Sequence, residues 1–441
     1  MYHCSLHSEK NAVGYCATCR KFYCETCAEE DRGFYYCPVH HQYIPSRPPL
    51  VPQEMKPARQ SAPLPKEFLI SHFVKGAIDD PDQQKILNLP FEKSHLIFGV
   101  PGSGKTLLAM LRAKLAPFDK NKVLLLVYNR PLKQLFAMAN GDSEESYKVE
   151  TFHSWFYTYY KEIAGTPPPC VMDFQYDWTK IYEVLSRKGV HQYYEYVVVD
   201  EAQDFPMELL NLLKYVSKRV TVFIDPNQNI VSEDDEQIVR LCEAMKLDFS
   251  EIYHLTKNYR SSPEIHRFSQ NFFFGKYPKG SECFSTRRGR KPVIYRKYSW
   301  DDTWDEVANY AEENPGHRIG VVLSSIRFGN QALKQLTERL PGKKVALYKW
   351  MRSHRGGAVD FFSDVVIMSM NTVKGMGFDA VFVVRVGYGQ MQVDDGYDLM
   401  DMNKLYVACT RAKRFLGVFC EANTQEIRQF FPKHDEYELC P

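Results

Sequence analysis

Residues 99–106 of this 441-residue chain read Gly-Val-Pro-Gly-Ser-Gly-Lys-Thr, a complete GxxxxGK(S/T) phosphate-binding loop. The loop follows an apolar run at 96–98 and opens an apolar helical stretch at 106–115, which is the strand–loop–helix context that the motif requires. Glycines let backbone N–H groups close around phosphate oxygens, and the positive end of the helix faces the anion. We predict that Lys105 reaches the β and γ phosphates and that Thr106 binds Mg²⁺. The residues predicted to line this nucleotide site are Gly99, Gly102, Ser103, Gly104, Lys105 and Thr106.

The second half of the predicted nucleotide site lies about 100 residues downstream. The run Tyr196-Val197-Val198-Val199 is typical of a strand buried in a parallel sheet, and it is followed directly by Asp200 and Glu201. Ligands bind at the carboxyl ends of such strands. We therefore predict that Asp200 holds Mg²⁺ and that Glu201 orients and deprotonates a water. An acidic pair at the end of a strand is weak evidence for a nucleotide site by itself. It becomes strong evidence when a phosphate-binding loop occurs about 100 residues earlier in the chain.

Chain length and net charge limit the number of domains and the kind of nucleic-acid site that the protein can have. A chain of 441 residues exceeds one hydrophobic core and predicts two or three domains. The net charge of +2 means that any nucleic-acid site must be a local groove. The basic cluster Arg287-Arg288-Gly289-Arg290-Lys291 is one candidate, although a solvated loop explains it equally well. No run of 18 apolar residues and no signal peptide is present, so we expect a cytoplasmic, reduced, intracellular protein without membrane contact.

Six of the twelve cysteines lie within the first 37 residues, and with His7 and His40 they form four ligand pairs whose members are each separated by two residues. Eight ligands suffice for two tetrahedral Zn²⁺ ions. A segment this short cannot bury enough apolar surface to fold without bound metal. A disulfide framework is the alternative, and the intracellular character of the remaining chain disfavours it. The predicted zinc ligands are Cys4, His7, Cys16, Cys19, Cys24, Cys27, Cys37 and His40.

This spacing resembles the B-box zinc-finger family, in which ligand pairs interleave. The resemblance implies that His41 could replace His40, and that the module binds a protein partner, as B-boxes usually do. It also implies two four-ligand sets, one of Cys4, His7, Cys24 and Cys27 and the other of Cys16, Cys19, Cys37 and His40.

The remaining chain predicts an α/β architecture. Residues 1–41 are predicted to form the zinc module and residues 42–66, with seven prolines, an extended linker. Apolar strand-like runs then alternate with helical stretches, which indicates parallel sheets. We place a first domain at 67–270 and a second at 271–441, sharing one nucleotide. The strand-like runs are 95–99, 123–128, 196–200, 220–225, 252–255, 293–296, 318–323, 345–348, 365–369, 381–385 and 415–420.

Several further motifs, in the right order over about 360 residues from Gln83 to the end, resemble the UvrD/Rep branch of superfamily 1 helicases. They are Asp80-Pro81-Asp82-Gln83, Tyr128-Asn129-Arg130-Pro131, Thr151-Phe152-His153-Ser154, Asp225-Pro226-Asn227-Gln228, Asn258-Tyr259-Arg260-Ser261 and Leu405-Tyr406-Val407-Ala408-Cys409-Thr410-Arg411-Ala412. The resemblance implies two RecA-like domains that hydrolyse ATP between them with Mg²⁺.

The resemblance also implies roles for individual residues. Gln83 would read the adenine, with Gln84 as the register alternative, and Tyr259 would stack on the adenine. Gln228 would sense the γ-phosphate, and Arg260 and Arg411 would contact it. An arginine placed there typically contributes about 10³–10⁵ in rate. The residues implied to contact single-stranded DNA are Asn129, Thr151, His153 and Thr372.

Two departures from the family pattern bear on function. At 369–379 the family usually has Thr, His and Glu where this chain has Ser369, Asn371 and Gly377, so contacts to the nucleotide sugar are in doubt. Only about 45 residues separate Ser154 from Asp200, so the family's inserted accessory domains are missing or vestigial. We therefore predict an ATP-dependent translocase on single-stranded DNA, 3′-to-5′, with weak strand separation. The alternatives are an RNA-directed motor and an ATPase switch or interaction protein.

Overall fold

In the computed structural model of the protein, the described residues are 14–16, 21–23, 29–31, 34–36, 80–128, 133, 147–172, 175–190, 192–225, 228, 241–243, 245, 251–273, 281–296, 299–348, 363–370, 372–386, 399–420, 431 and 433–440. The chain divides by internal contacts into two units, Met1–Pro63 and Leu64–Pro441.

The first unit contains two antiparallel hairpins. Their strands are β1 (Gly14–Cys16), β2 (Lys21–Tyr23), β3 (Glu29–Asp31) and β4 (Phe34–Tyr36). Of the predicted zinc ligands, Cys16 ends β1 and is described in its backbone only. The others lie outside the described residues: Cys4, His7, Cys19, Cys24, Cys27, Cys37 and His40.

A parallel six-stranded sheet forms the first half of the second unit, in the order β12-β5-β11-β10-β6-β7. Its strands are β5 (His95–Gly99), β6 (Val123–Val127), β7 (Lys148–Thr151), β10 (Tyr196–Val199), β11 (Val220–Ile224) and β12 (Tyr253–Leu255). Alternate side chains of a strand point to opposite faces. Leu124 and Leu126 therefore pack into one hydrophobic core, and Val123, Leu125 and Val127 into another.

Helices cover both faces of this sheet. They are α1 (Pro81–Leu87), α2 (Lys105–Leu115), α3 (Phe152–Ala164), α4 (Trp178–Lys188) and α5 (Met207–Val216). A hairpin of β8 (Cys170–Met172) and β9 (Gln175–Tyr176) connects α3 to α4. The 3₁₀ turns Lys120–Lys122 and Ala202–Asp204 lead into β6 and away from β10.

A second parallel sheet follows, in the order β17-β18-β16-β19-β20-β15-β21. Its strands are β15 (Val293–Tyr295), β16 (Ile319–Leu323), β17 (Val345–Leu347), β18 (Val365–Ser369), β19 (Phe378–Val386), β20 (Ala412–Cys420) and β21 (Glu438–Cys440). Its helices are α6 (Pro263–Ser269), α7 (Trp300–Glu313), α8 (Gly329–Arg339) and α9 (Leu399–Cys409). The remaining 3₁₀ turns are Gln270–Phe272, Ile326–Phe328 and His434–Glu436.

Between the two sheets, β13 (Lys257–Asn258) and β14 (Glu282–Cys283) form a short parallel pair. Helix α6 follows the first sheet in the chain, yet its Ile265 and Phe268 pack into the core of the second sheet. The predicted α/β class with two parallel sheets is confirmed, and each predicted strand-like run overlaps a strand. Among the described helices, none is long and apolar enough to cross a bilayer.

Candidate nucleotide site

The phosphate-binding loop connects β5 to α2, as its sequence context predicts. Gly102 and Gly104 adopt φ angles of +78° and +90°, a region that glycine enters without strain. A Cβ atom at Gly102 would lie 2.8 Å from the Asn258 Oδ1 atom, and one at Gly104 would lie 2.7 Å from the Gln83 Nε2 atom. Both the conformation and the close packing therefore require glycine at these two positions.

Lys105 is the first residue of α2 and only 5% of it is exposed. Its Nζ atom donates to the carbonyl oxygens of Gly99 at 2.7 Å and Val100 at 3.1 Å. It also lies 3.4 Å from the Asp225 carboxylate, which follows β11. These contacts hold the ammonium group against the phosphate loop.

Asp200 and Glu201 follow β10 and are buried. Neither carboxylate oxygen of Asp200 has a hydrogen-bond partner of normal geometry. Burial raises the pKa of Asp200, and the charge of Glu201 raises it further, whereas the Thr106 hydroxyl and the Lys105 ammonium oppose the rise. A buried carboxylate beside a hydroxyl is the oxygen-ligand chemistry that Mg²⁺ prefers. These residues fit the predicted metal ion.

Glu201 has φ +54°, the only positive value among the described non-glycine residues. Its carboxylate accepts a hydrogen bond from the Gln203 Nε2 atom at 2.7 Å. Burial opposes ionisation, but the nearby charges of Lys105 and Arg411 prevail and lower the pKa of Glu201. Glu201 is therefore held as a carboxylate, the form that can accept a proton from water.

A chain of side chains links the two sheets at the phosphate loop. The Gln228 Nε2 atom donates to the Asp225 carboxylate at 2.6 Å. Arg411, between α9 and β20 and 1% exposed, donates through Nη2 to the Gln228 Oε1 atom at 2.9 Å. Its Nε atom donates to the Val407 carbonyl at 3.1 Å. Gln228 thus connects the Lys105–Asp225 pair to an arginine of the second sheet.

Arg260 approaches the same place from the segment between the sheets. Its backbone N–H donates to the Asn258 Oδ1 atom at 2.8 Å, and its guanidinium donates to the Thr410 carbonyl at 3.4 Å. Burial lowers the pKa of Arg260, and the neighbouring charge of Arg411 lowers it further. Two guanidinium groups this close repel each other, so an anion between them would be favoured.

The predicted adenine contacts lie beside the loop. Gln83 is 4% exposed and its Nε2 atom donates to the Ser103 carbonyl at 2.8 Å, whereas the alternative Gln84 is exposed. Tyr259 donates its backbone N–H to the Gly102 carbonyl at 3.0 Å and its hydroxyl to the Asp80 carboxylate. Gln83, rather than Gln84, is therefore the residue packed under the phosphate loop.

The residues predicted to contact DNA are more dispersed. Thr151 is buried at the N-cap of α3, and Asn129 lies outside the described residues. The His153 Nδ1 atom lies 3.1 Å from the Tyr176 hydroxyl, and burial lowers the pKa of His153 to about 4. The Thr372 hydroxyl lies 3.0 Å from the Ser369 backbone nitrogen, which donates to it. His153 is therefore neutral near pH 7.

The structure adds an ion pair that sequence reasoning did not assign. Lys374, in the turn after β18, pairs with Asp204, and the two side chains are 7% and 8% exposed. Lys374 also donates to the Gln228 carbonyl at 3.2 Å. Burial raises the pKa of Asp204 to about 6, and Lys374 opposes that rise. Neither residue was assigned a role from the sequence, because two side chains 170 positions apart carry no local signal of their pairing.

Comparison with known proteins gives one family match. Residues 92–288 match the family model for the Schlafen group 3, DNA/RNA helicase domain. The matched region contains the phosphate loop, Glu201 and Arg260, and it is less than half of the chain. This part of the protein is helicase-like, which indicates an ATP- and Mg²⁺-dependent motor that acts on nucleic acid. A search of curated proteins returns no match.

Two solved structures show distant likeness. The C-terminal domain of a possible DNA helicase from Lactobacillus plantarum WCFS1 has 20% identity and a TM-score of 0.31, covering 41% of this chain and 98% of its own. S. cerevisiae Dbp5 bound to RNA and ADP BeF3 has 11% identity and a TM-score of 0.49, covering 86% of this chain and 93% of its own. Neither TM-score is high enough to support an argument about function.

Proposed function

We propose that this protein is an ATP-dependent translocase or helicase that moves on single-stranded DNA, 3′ to 5′, and hydrolyses ATP between its two sheets. The observation that carries the proposal is the chain Lys105–Asp225–Gln228–Arg411, which joins the phosphate loop to the second sheet. An arginine that reaches the nucleotide from the second sheet makes the ATPase site complete only when the two sheets are close. Nucleotide turnover can therefore change the distance between them.

The residues divide the chemistry among them. Lys105 and the loop N–H groups bind phosphate, and Asp200 with Thr106 would hold Mg²⁺, which neutralises charge on the phosphate oxygens. Glu201, as a carboxylate, accepts a proton from the attacking water. Arg260 and Arg411 offset the negative charge that develops on the transferring phosphate, which is where an arginine contributes most. Gln228 contacts Asp225 and Arg411 at once, so it suits a sensor of the γ-phosphate.

We propose single-stranded DNA as the track because the motifs resemble UvrD/Rep helicases. The printed description of the matching family includes both DNA and RNA, so RNA is the competing substrate. The short spacings around the nucleotide motifs support weak strand separation. For the N-terminal segment we propose two Zn²⁺ ions on its eight cysteine and histidine ligands, and a protein partner.

The deciding experiment measures ATP turnover by the full chain with no nucleic acid, with single-stranded DNA and with single-stranded RNA, using Lys105→Ala as the inactive control. We expect DNA to stimulate turnover more than RNA does. A greater stimulation by RNA would assign the RNA-directed motor. Turnover that neither polymer changes would favour the ATPase switch.

Translocation and unwinding are then measured on the same preparation with 3′-tailed and 5′-tailed substrates. We expect movement from a 3′ tail and little separation of long duplexes. Processive unwinding by the monomer would contradict the proposed weak strand separation, and movement from a 5′ tail would contradict the polarity.

A further inference from the structure

The segment that carries the basic cluster runs alongside β13 and the residues on either side of it. Backbone hydrogen bonds join Glu282 N–H to the Thr256 carbonyl at 3.0 Å and Phe284 N–H to the Asn258 carbonyl at 2.9 Å. Further along, a Cβ atom at Gly289 would lie 2.1 Å from the Ser262 Oγ atom. The segment is therefore packed along its length against residues 256–262.

Within the basic cluster, Arg287 points inward. Its Nη1 atom donates to the carbonyl of Tyr259 and, at 3.0 Å, to the carbonyl of Arg260. Burial lowers the pKa of Arg287, and the charge of Arg414 lowers it further. By contrast, Arg288, in the same cluster, is exposed. A solvated loop therefore describes Arg288 but not Arg287.

The two carbonyls that Arg287 binds belong to residues already held by the nucleotide site. Tyr259 donates its N–H to the Gly102 carbonyl of the phosphate loop at 3.0 Å. The N–H groups of Arg260 and Ser261 donate to the Asn258 Oδ1 atom at 2.8 and 3.1 Å. In residues 259–261, the backbone N–H groups therefore donate to Gly102 and Asn258. The carbonyl oxygens of Tyr259 and Arg260 accept hydrogen bonds from the Arg287 guanidinium.

We propose that Arg287 is a positioning residue for ATP hydrolysis: it fixes the backbone that aims Tyr259 at the nucleotide base and Arg260 at the transferring phosphate. The inference rests on the proposed ATPase function. Both bonds come from the Nη1 nitrogen, whose two N–H groups have fixed directions in the guanidinium plane, whereas the donors of a lysine ammonium rotate freely. A small displacement of a catalytic group can cost about 10²-fold in rate.

The test compares Arg287→Ala, Arg287→Lys and Arg288→Ala in the full chain, by steady-state ATP turnover without nucleic acid. We expect Arg287→Ala to lower kcat/KM by about ten- to a hundredfold, with kcat reduced and KM for ATP raised. We expect Arg287→Lys to lie between wild type and alanine, and Arg288→Ala to match wild type. Added guanidinium ion at low millimolar concentration should restore part of the alanine variant's kcat.

The outcomes separate the inference from the proposed function. A wild-type chain without ATP turnover would refute the proposed function itself. If wild type is active and a folded Arg287→Ala variant keeps its kcat and KM, the positioning role is wrong. It is also wrong if Arg287→Ala and Arg288→Ala both weaken single-stranded DNA binding equally and leave basal turnover intact, because the cluster is then a nucleic-acid contact. If the alanine variant does not fold, Arg287→Lys decides, and wild-type kinetics in a folded lysine variant would overturn the proposal.

Discussion

Replacing Arg411 by alanine should remove most of the protein's ATP turnover while leaving ATP affinity nearly unchanged. Arg411 is 1% exposed, donates to Gln228 at 2.9 Å, and its charge helps to keep Glu201 ionised. An arginine that meets charge developing on a transferring phosphate contributes about 10³–10⁵ in rate. At 1.36 kcal/mol per tenfold change, this corresponds to about 4–7 kcal/mol of transition-state stabilisation.

The assay is steady-state turnover over a range of ATP concentrations, with nucleotide binding measured separately by fluorescence of a labelled analogue. Arg327→Ala is the control, because Arg327 is an exposed arginine in the 3₁₀ turn Ile326–Phe328, in the same half of the chain. We expect wild-type kinetics from it. Arg411→Lys keeps the charge but loses the planar donors, so it should remain far below wild type. A raised KM with unchanged kcat in Arg411→Ala would show that the arginine serves ground-state binding, and the transition-state argument would then be refuted.

Three further predictions concern Glu201, the Asp204–Lys374 ion pair and the N-terminal segment. Glu201→Gln should bind ATP normally and lose about 10²–10⁴-fold in turnover, since the amide cannot accept the proton; wild-type turnover would exclude Glu201 as the base. Asp204→Ala should lower the free energy of unfolding by about 3–5 kcal/mol, because it removes the carboxylate that neutralises the buried Lys374 ammonium, and adding Lys374→Met should recover much of that loss. Equal thermal midpoints for all these variants would contradict the ion pair. Metal analysis should find about two zinc ions in the full chain, and a protein beginning near Lys66 should contain none yet keep its ATPase activity; an inactive but folded truncation would place the zinc segment on the DNA path.

The sequence predicted the strands best where apolar runs are continuous, as in β6, because a strand buried on both faces has no polar positions. It did not predict β7 (Lys148–Thr151). This strand lies at the edge of its sheet and includes polar residues, so it is not a continuous apolar run. Helix α6 also could not be assigned to the second core from its position in the chain. Its apolar residues specify burial but not the partner, which depends on how β15 and β20 return beside it.

In the candidate site, too, the sequence predicted some features and not others. Motif spacing placed the phosphate loop, Asp200 and Glu201 correctly at the carboxyl ends of strands, since parallel topology brings those ends together. The Asp204–Lys374 pair spans 170 residues of sequence, and Arg287 acts through backbone carbonyls that carry no side-chain signature. Contacts of this kind depend on the assembled tertiary structure, so the sequence motifs did not reveal them.

The backbone angle of Glu201 sets backbone strain against charge pairing. A left-handed conformation at a non-glycine residue costs about 1–3 kcal/mol, which the surrounding fold must offset. Glycine would adopt φ +54° without that penalty, but Glu201→Gly would also remove the carboxylate that faces the buried charges of Lys105 and Arg411. Relief of backbone strain and loss of the counter-charge oppose each other, so the glycine variant should gain little or no thermal stability. The same cations that favour the ionised carboxylate therefore also help to keep this residue in its left-handed conformation.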